Sequence, residues 1–405
     1  MHSIRMATRF LRSIIFALLL ISEIAPYIAH GNQNSVLSVN IHILADMPYP
    51  VSLVERSLPS TSPSCMWGAL STYSLTEKLD HDWSPSIPIM HANSGVTALG
   101  WATSAGRIEI VMQSDTWPFG VELQSLSLCE LPEYRSQPLY GHNPGETADI
   151  ATDAVRRYDS AAVIEAGQYG QYIAVWSIVS PGFTLYHLDV PIGSQCAGLN
   201  VGRVVFTSSR KYVNAMLDGE RILVVSIDLR ERAVILNSID VATETVGGDE
   251  VKTRLGDLVY AASSALSDDA LYVAYYAIAS EQVKLASIAS TSGSIKTRII
   301  ARVSVSSEMT VEPPTLRIVD KDAWIAFLDP KMVDGTFSTA LRVARLRLDI
   351  ESDVTDCTIL DIDKSDGNQS IRDIAPYFDE DSRGVCIAYV VSGATNWQIK
   401  AADIF

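Results

Sequence analysis

One pattern of apolar and polar positions recurs along the chain: an apolar strand, a short polar turn, and a second apolar strand that contains small residues. Its clearest copies span residues 213–229, 261–278, 315–328 and 375–391, with looser copies at 161–179 and 87–103. The turns contain Asp-Gly, Asn-Ser-Gly or Ser-Arg-Gly, and Gly and Asn adopt positive φ at low cost. The pattern predicts a series of antiparallel hairpins.

These hairpins repeat with a long period. Their second strands begin near residues 97, 172, 222, 272, 324 and 386, and a third strand with alternating polarity follows each hairpin. Units of about 50 residues, each made of several short strands, are typical of the four-stranded blades of a β-propeller. Stacked β-sandwiches would show short strand spacings without this longer period.

The number of units predicts a ring of blades. Six units are clear, and residues 49–57 and 65–75 supply a seventh. The last unit has only three strands, and residues 35–44, in which Leu37, Val39, Ile41 and Ile43 alternate with polar positions, can supply its fourth. We therefore expect residues 32–405 to form one all-β domain, a β-propeller of seven blades with six as the fallback. Pairing of the N- and C-terminal strands closes it and removes an open sheet edge.

The longest interval between units predicts an insertion at about residues 132–159. Asn143, Pro144 and Glu146 occupy the N-cap, first and third positions of a short helix that would begin there. Long loops in compact domains often carry function, so this insertion is a candidate functional region.

The N-terminal 31 residues predict export. Three arginines precede an apolar run of about nine residues, and small residues follow at positions −3 and −1 of the expected cut after Gly31. This is the pattern of a cleaved secretory signal peptide, and the apolar run is too short for a membrane anchor of about 20 residues. No later stretch is long enough to span a bilayer. The protein is expected to be secreted, periplasmic or at the cell surface.

The net negative charge of the chain indicates which partners are not expected. The whole chain carries a formal charge of −16, and removing residues 1–31 leaves 28 basic against 46 acidic residues, a charge of −18. Because so acidic a surface repels phosphate backbones, nucleic acid is not expected as a partner.

The five cysteines predict no zinc centre, because they are widely spaced and form no Cys-x-x-Cys pair. Export permits disulfides, but an odd number leaves at least one thiol outside any pairing within the chain. Cys65 and Cys386 lie in strand-like runs and are expected to be small buried apolar residues.

Several second strands share a short motif: Tyr172-Ile-Ala-Val-Trp176, Tyr272-Val-Ala-Tyr-Tyr276 and Cys386-Ile-Ala-Tyr389. With the Asp- and Gly-containing turns before them, these strands resemble the repeats of secreted propellers of the broad sialidase-like group, over most of residues 85–405. The resemblance implies a propeller fold. The sequence departs from the group at two motifs. The nearest match to the Asp-box (Ser-x-Asp-x-Gly-x-Thr-Trp) is Ser392–Trp397, which lacks the Asp. At the expected Arg-Ile-Pro motif, Ser86 replaces the Arg. No catalytic residue is therefore carried over.

Acidic residues near the C-terminus are a candidate cation site. Asp361, Asp363 and Asp366 lie at nearly alternate positions before Gly367, which approaches the pattern of a calcium loop. The Gly comes one residue late and no Glu stands at the twelfth position, so the alternative is a solvated turn between blades. Calcium is the one cofactor that the sequence suggests.

Three further groups have alternative interpretations. Trp117, in Trp117-Pro118-Phe119, could stack on a sugar ring or pack between blades. His142 would share a helix face with Glu146 and could contact a ligand or metal, although no third ligand is evident. Arg345 and Arg347 share a strand face with Asp349 and Glu351, and on an outer strand these residues are expected to form exposed ion pairs across strands.

The sequence contains no recognisable catalytic set. We therefore expect an exported propeller that binds an unidentified protein or glycan, and we favour a binding protein over an enzyme. The alternative is a divergent propeller-type glycoside hydrolase or lyase, which would use two carboxylates brought together at the axial mouth.

Overall fold

The computed structural model describes the chain in segments. They are residues 37, 39–47, 51–56, 66–71, 74–79, 82–83, 87–88, 96–104, 107–114, 120–127, 147–151, 158–177, 181–188, 202–267, 270–289, 294–304, 312–333, 336–348, 357–365, 369–379, 384–393 and 397–404. The predicted signal peptide at 1–31, Cys65, Trp117, His142 and Asp366 lie outside them. Within the described part, no helix is long and apolar enough to cross a membrane.

The fold is all-β, and the described strands form seven antiparallel sheets. The first sheet contains β2 (Val51–Arg56), β3 (Met66–Ser71), β4 (Ser74–Leu79) and β5 (Asp82–Trp83), with β6 (Ile87–Pro88) also paired to β4. The second contains β7 (Val96–Ser104), β8 (Arg107–Ser114), β9 (Val121–Ser127) and β10 (Thr147–Ala151). The third contains β11 (Ser160–Glu165), β12 (Gln171–Trp176), β13 (Phe183–Leu188) and β14 (Arg203–Ser208).

Four further sheets follow the same order along the chain. The fourth contains β15 (Lys211–Asp218), β16 (Arg221–Asp228), β17 (Ala233–Asp240) and β18 (Val246–Arg254). The fifth contains β19 (Val259–Ser267), β20 (Ala270–Ala277), β21 (Gln282–Ala289) and β22 (Ile295–Arg302). The sixth contains β23 (Thr315–Val319), β24 (Asp322–Val333), β25 (Thr336–Arg347) and β26 (Cys357–Ser365). The seventh contains β27 (Ser370–Asp379), β28 (Gly384–Ser392), β29 (Trp397–Ile404) and the N-terminal strand β1 (Val39–Met47).

Two short 3₁₀ turns, Gly167–Tyr169 and Ile278–Ser280, connect strands in the third and fifth sheets. Five of the six predicted hairpins are found as predicted: β11–β12, β15–β16, β19–β20, β23–β24 and β27–β28. In β15–β16, Asp218 lies opposite Arg221 and Gly219 has a φ of 59°, a conformation that glycine adopts without strain.

One predicted hairpin is wrong. The strand that starts at Val96 opens its own sheet with β8, while Ile87–Pro88, the described part of the expected partner strand, pairs with β4 of the preceding sheet. The apolar run at 87–91 follows the alternation of a first strand, but only tertiary pairing decides which sheet it joins. With β7 as the first strand of the second sheet, the first strands of the second and third sheets begin at Val96 and Ser160, which are 64 residues apart. The longest interval between units is therefore shorter than the sequence predicted.

The prediction of a helix that begins at Asn143 also needs a correction. Thr147–Ala151 forms β10, which pairs antiparallel to β9, so a helix does not continue past Glu146. The segment Thr-Ala-Asp-Ile-Ala alternates polar and apolar positions, and this period of two suits a strand. Residues 128–146 are outside the described part of the chain.

Neighbouring sheets contact each other through their first strands. The contacts run in the order β2, β7, β11, β15, β19, β23, β27 and back to β2. The two chain ends also pair: Val39 of β1 lies opposite Ile404, and Met47 lies opposite Trp397, with a bulge between Ile43 and Ala45.

Apolar side chains between the sheets form the core. One cluster joins the fifth, sixth and seventh sheets, with Leu37 and Val39 packed against it. The hydroxyl of Tyr276, from β20, donates to the carbonyl of Leu328 at 3.1 Å and accepts from its N–H at 2.8 Å. Cys386 is buried in β28, as predicted. These contacts position the sixth sheet between its neighbours.

Candidate functional site

A polar cavity lies at one end of the sixth sheet. Consecutive strands are antiparallel, so the start of β23, the end of β24, the start of β25 and the end of β26 lie at the same end, which we call the linker end because the chain passes there to the next sheet. Thr315, the first residue of β23, lies opposite Ala326, but β24 continues to Val333. The hairpin of β24 and β25 therefore extends beyond β23 at the linker end.

The cavity opens against β24, β25 and β26 and has a volume of about 460 Å³. Its lining is mainly charged, with three carboxylates and three basic groups. The lining residues are Asp329, Lys331, Ser338, Ala340, Arg342, Asp361, Ile362, Asp363 and Lys364.

Arg342 holds two of the carboxylates in place. Its Nε donates to Oδ1 of Asp361 at 2.6 Å, and its Nη1 donates to Oδ2 of Asp329 at 3.3 Å. Asp361 is 77% exposed, whereas Asp329 is only 2% exposed. One guanidinium therefore links a surface carboxylate to a buried one.

Asp329 is buried but has several partners. Besides Arg342, the ammonium of Lys331 lies 3.3 Å from its Oδ2, and the backbone N–H of Ser304 donates to its Oδ1 at 3.3 Å. A buried charge is tolerated when it is paired and hydrogen-bonded, as here. The Asp329 carboxylate is thus held in one position on the lining of the cavity.

Asp363 connects the cavity to the seventh sheet. Its Oδ2 accepts from the hydroxyl of Tyr389 at 2.8 Å and from Nζ of Lys400 at 2.9 Å, and its Oδ1 accepts from the N–H of Lys364 at 2.8 Å. Burial, followed by the neighbouring Asp363 carboxylate, raises the pKa of Tyr389 above its ordinary value. Asp363 is thus an anchor between sheets as well as a lining residue.

The fifth sheet contains the same arrangement. The hydroxyl of Tyr275 donates to Oδ2 of Asp257 at 3.1 Å, and Nζ of Lys284 lies 3.0 Å from that oxygen. Tyr275 lies opposite Lys284 across β20 and β21, as Tyr389 lies opposite Lys400 across β28 and β29. The Tyr–Lys–Asp network is therefore a repeated structural feature of the linker end.

The sixth sheet departs from this network at the cavity. Phe327 takes the place of the tyrosine, and Arg342, opposite it, takes the place of the lysine. Phe327 has no hydroxyl to bond a carboxylate, and Arg342 instead bonds Asp329 and Asp361 on the lining of the cavity. The cavity is found where the repeated network is altered.

A further acidic group lies at the linker end of the same sheet. Glu312, three residues before β23, is half-buried, and burial raises the pKa of its carboxyl while the charge of Arg372 lowers it. Arg372, the third residue of β27, also lies over the ring of Trp397 at 5.7 Å from its centre. Glu312 therefore precedes the first strand β23, and Arg372 lies in the neighbouring first strand β27.

The structure places the residues of the predicted calcium site only in part. Asp361 and Asp363 lie within β26, and each accepts from a basic side chain. Asp366 is outside the described residues. Where the structure describes the chain, no group of three His, Cys, Asp or Glu side chains could hold a metal ion.

The other expected groups have mixed outcomes. Trp117 and His142 lie outside the described residues, and so do Asp349 and Glu351. Arg345 bonds Asp322, at 2.8 Å through Nε, and lies over the ring of Trp324. The expected exposed ion pair between strands is therefore found for Arg345, which is 40% exposed and bonds a carboxylate on the adjacent strand β24.

The sequence pointed to Asp361 and Asp363 but not to Asp329, Arg342 or Lys400. One signal could have identified the two basic residues. The third strands share a run of apolar, basic, apolar and Ala residues, at 283–286, 341–344 and 399–402, in which Lys284, Arg342 and Lys400 hold the basic position. No comparable signal marks Asp329.

Comparisons with known proteins do not identify a family. No family model and no curated protein sequence matches the chain. A DUF4623 family protein from Bacteroides eggerthii shares 11% identity and a TM-score of 0.36, with 87% of each chain covered. The phage phi92 endosialidase shares 8% identity and a TM-score of 0.46, with 91% of this chain and 69% of that chain covered.

A puromycin-hydrolysing peptidase of Mycobacterium tuberculosis shares 14% identity and a TM-score of 0.44, with 84% of this chain and 50% of that chain covered. All three TM-scores are below 0.5, so these similarities give no information on ligand or reaction. The chemistry of the site therefore depends on its own residues.

Proposed function

We propose that this protein is an exported seven-bladed β-propeller, closed by pairing of its terminal strands, that acts as a binding module through the cavity of the sixth sheet. The circular order of contacts among the first strands supports the ring, and the pairing of β1 with β29 supports its closure. A propeller of the sialidase-like group, as the sequence motif implies, is consistent with both.

One observation carries the proposal of binding rather than catalysis: every carboxylate on the cavity wall has a basic partner. Asp329 is paired with Arg342 and Lys331, Asp361 with Arg342, and Asp363 with Lys400. Most glycoside hydrolases need one carboxyl that gives up a proton and a second that attacks the sugar or activates water. Carboxylates held by cations are better suited to fixed hydrogen bonds.

The test of this function is an activity screen beside a binding screen. The protein is incubated with p-nitrophenyl glycosides and with neutral and acidic polysaccharides, and product release is measured along with binding. We expect no turnover. Turnover that the variant Asp361→Asn abolishes would overturn the proposal of a binding module.

One observation favours the second candidate, a propeller-type hydrolase or lyase. The raised pKa of Glu312 is the property of a general acid, and its neighbour Arg372 comes from the next first strand. In the same screen, turnover lost in Glu312→Gln but kept in Asp361→Asn would assign activity to this group instead of to the cavity.

A further inference from the structure

The cavity has a balance of charge that the rest of the chain lacks. Its three Asp side chains face three Lys or Arg side chains, whereas the whole chain has 47 acidic and 31 basic residues. A balanced wall favours neither an anion nor a cation by net attraction. It offers hydrogen-bond donors and acceptors side by side.

Few of the side chains that line this site are apolar residues. Among the lining residues, only Ala340 and Ile362 are apolar, and Ile362 is 5% exposed. A ligand held mainly by the hydrophobic effect would need a predominantly apolar wall. The lining therefore selects a polar ligand.

The polar groups are already fixed in the free protein. Arg342 is bonded by Asp329 on one side and by Asp361 on the other, and Asp363 is bonded by Tyr389 and Lys400. Because the cavity wall is held by these contacts, a ligand loses little free energy in ordering it.

Donor and acceptor capacity remains at the exposed end of the cavity. Arg342 bonds Oδ1 of Asp361, so Oδ2 of this exposed carboxylate can still accept. Lys364 lines the same cavity, and its ammonium is a donor with three protons. A ligand with adjacent hydroxyl groups can donate to the Asp361 carboxylate and accept from the Lys364 ammonium at the same time.

Resting on the proposed binding function, we infer that the cavity binds a neutral, hydroxyl-rich ligand, an oligosaccharide of a few sugar units. Each sugar hydroxyl is both donor and acceptor, which suits the alternating carboxylates and basic groups of the wall. The volume of about 460 Å³ lies in the range of small-molecule sites.

The experiment uses matched probes and calorimetry on the full mature chain. Neutral probes are lactose, cellotriose, maltotriose and chitotriose; the charged probes are 3′-sialyllactose, which adds one carboxylate to lactose, and triglycine, a zwitterion. We expect at least one neutral probe to bind with a Kd below about 1 mM. Adding the sialic acid to lactose should not tighten binding.

Variants locate the site. Asp361→Ala and Lys364→Ala change exposed cavity residues, and each should weaken binding of the neutral probe about tenfold or more. Asp218→Ala, an exposed carboxylate at the end of β15, is the matched control and should leave the Kd unchanged.

The outcomes separate two failures. Binding of only 3′-sialyllactose or triglycine, weakened by Asp361→Ala, would overturn the neutral ligand class but keep the binding function. If Asp361→Ala and Lys364→Ala alter the binding of no probe, both the ligand class and the cavity as a binding site are wrong.

Discussion

Tyr389 and Lys400 lie opposite each other on β28 and β29, and both donate to the same oxygen, Oδ2 of Asp363, at 2.8 and 2.9 Å. Asp363 belongs to the last strand of the preceding sheet. The three side chains therefore join the sixth and seventh sheets at the edge of the cavity, and the same network in the fifth sheet indicates a structural role.

Removing the shared acceptor should destabilise the protein. Asp363→Ala leaves the Tyr389 hydroxyl and the Lys400 ammonium, which is 18% exposed, without their carboxylate. The free energy of unfolding, measured in urea, should fall by about 2–4 kcal/mol. Asp361→Ala is the control, because its carboxylate is 77% exposed, and should cost less than about 1 kcal/mol. Equal losses in the two variants would contradict a buried anchor.

The contact between Tyr276 and Leu328 should also be measurable. Tyr276→Phe keeps the ring in the core but leaves the buried N–H and carbonyl of Leu328 without the hydroxyl that satisfies both. We expect a loss of about 1–3 kcal/mol in urea unfolding. Tyr272→Phe, on the same strand, should change stability by no more than about 0.5 kcal/mol. If Tyr276→Phe leaves the free energy of unfolding unchanged, the hydroxyl is not needed to satisfy the two backbone groups of Leu328.

Pairing of the chain ends makes a prediction about truncation. A chain that begins at Asn32 retains β1 and should fold as the full chain does. A chain that begins at Ala45 loses most of β1 together with Leu37 before it, and Leu37 and Val39 pack against the core of the last three sheets. Its free energy of unfolding should be lower by about 3 kcal/mol or more. Equal melting temperatures for the two chains would refute ring closure by β1.

The raised pKa of Glu312 predicts how the free energy of unfolding depends on pH. Burial raises the pKa of its carboxyl above the ordinary value of 4.5, so the folded state binds the proton more tightly than the unfolded state. Its contribution to stability is therefore fully present below pH 4.5 and is lost as pH rises through the folded pKa. Glu312→Gln should be more stable than the wild type at about pH 7, and this difference should disappear below pH 4.5. Urea unfolding across this pH range measures it, and a difference that grows on acidification would contradict the sign.

Local sequence was sufficient for most of the strands. Alternation of apolar and polar residues and short turns with Asp or Gly predicted hairpins such as β15–β16 and β23–β24, because strand pairing across a two-residue turn depends on neighbouring residues. The partner of an isolated short run is not fixed in this way. Ile87–Pro88 joined β4 instead of the strand that follows it.

The candidate site could be predicted only in fragments. Asp361 and Asp363 stood out as an acidic pair and were interpreted as a calcium loop or a turn, whereas they lie on a strand and bond basic side chains. Asp329 gave no signal, since nothing near it in sequence shows that it is buried beside Arg342.

By itself, the sequence determined an all-β chain of hairpins with a period of about 50 residues and a terminal strand suited to pair with the last unit. Each of these depends on the alternation and turn chemistry of nearby residues. Tertiary structure decided which residues form the cavity: Arg342 meets Asp329 and Asp361 across two adjacent strands, and Asp363 meets Tyr389 from the next sheet. Those contacts depend on register and on the packing of sheets, because residues distant in the chain must be brought within hydrogen-bond distance.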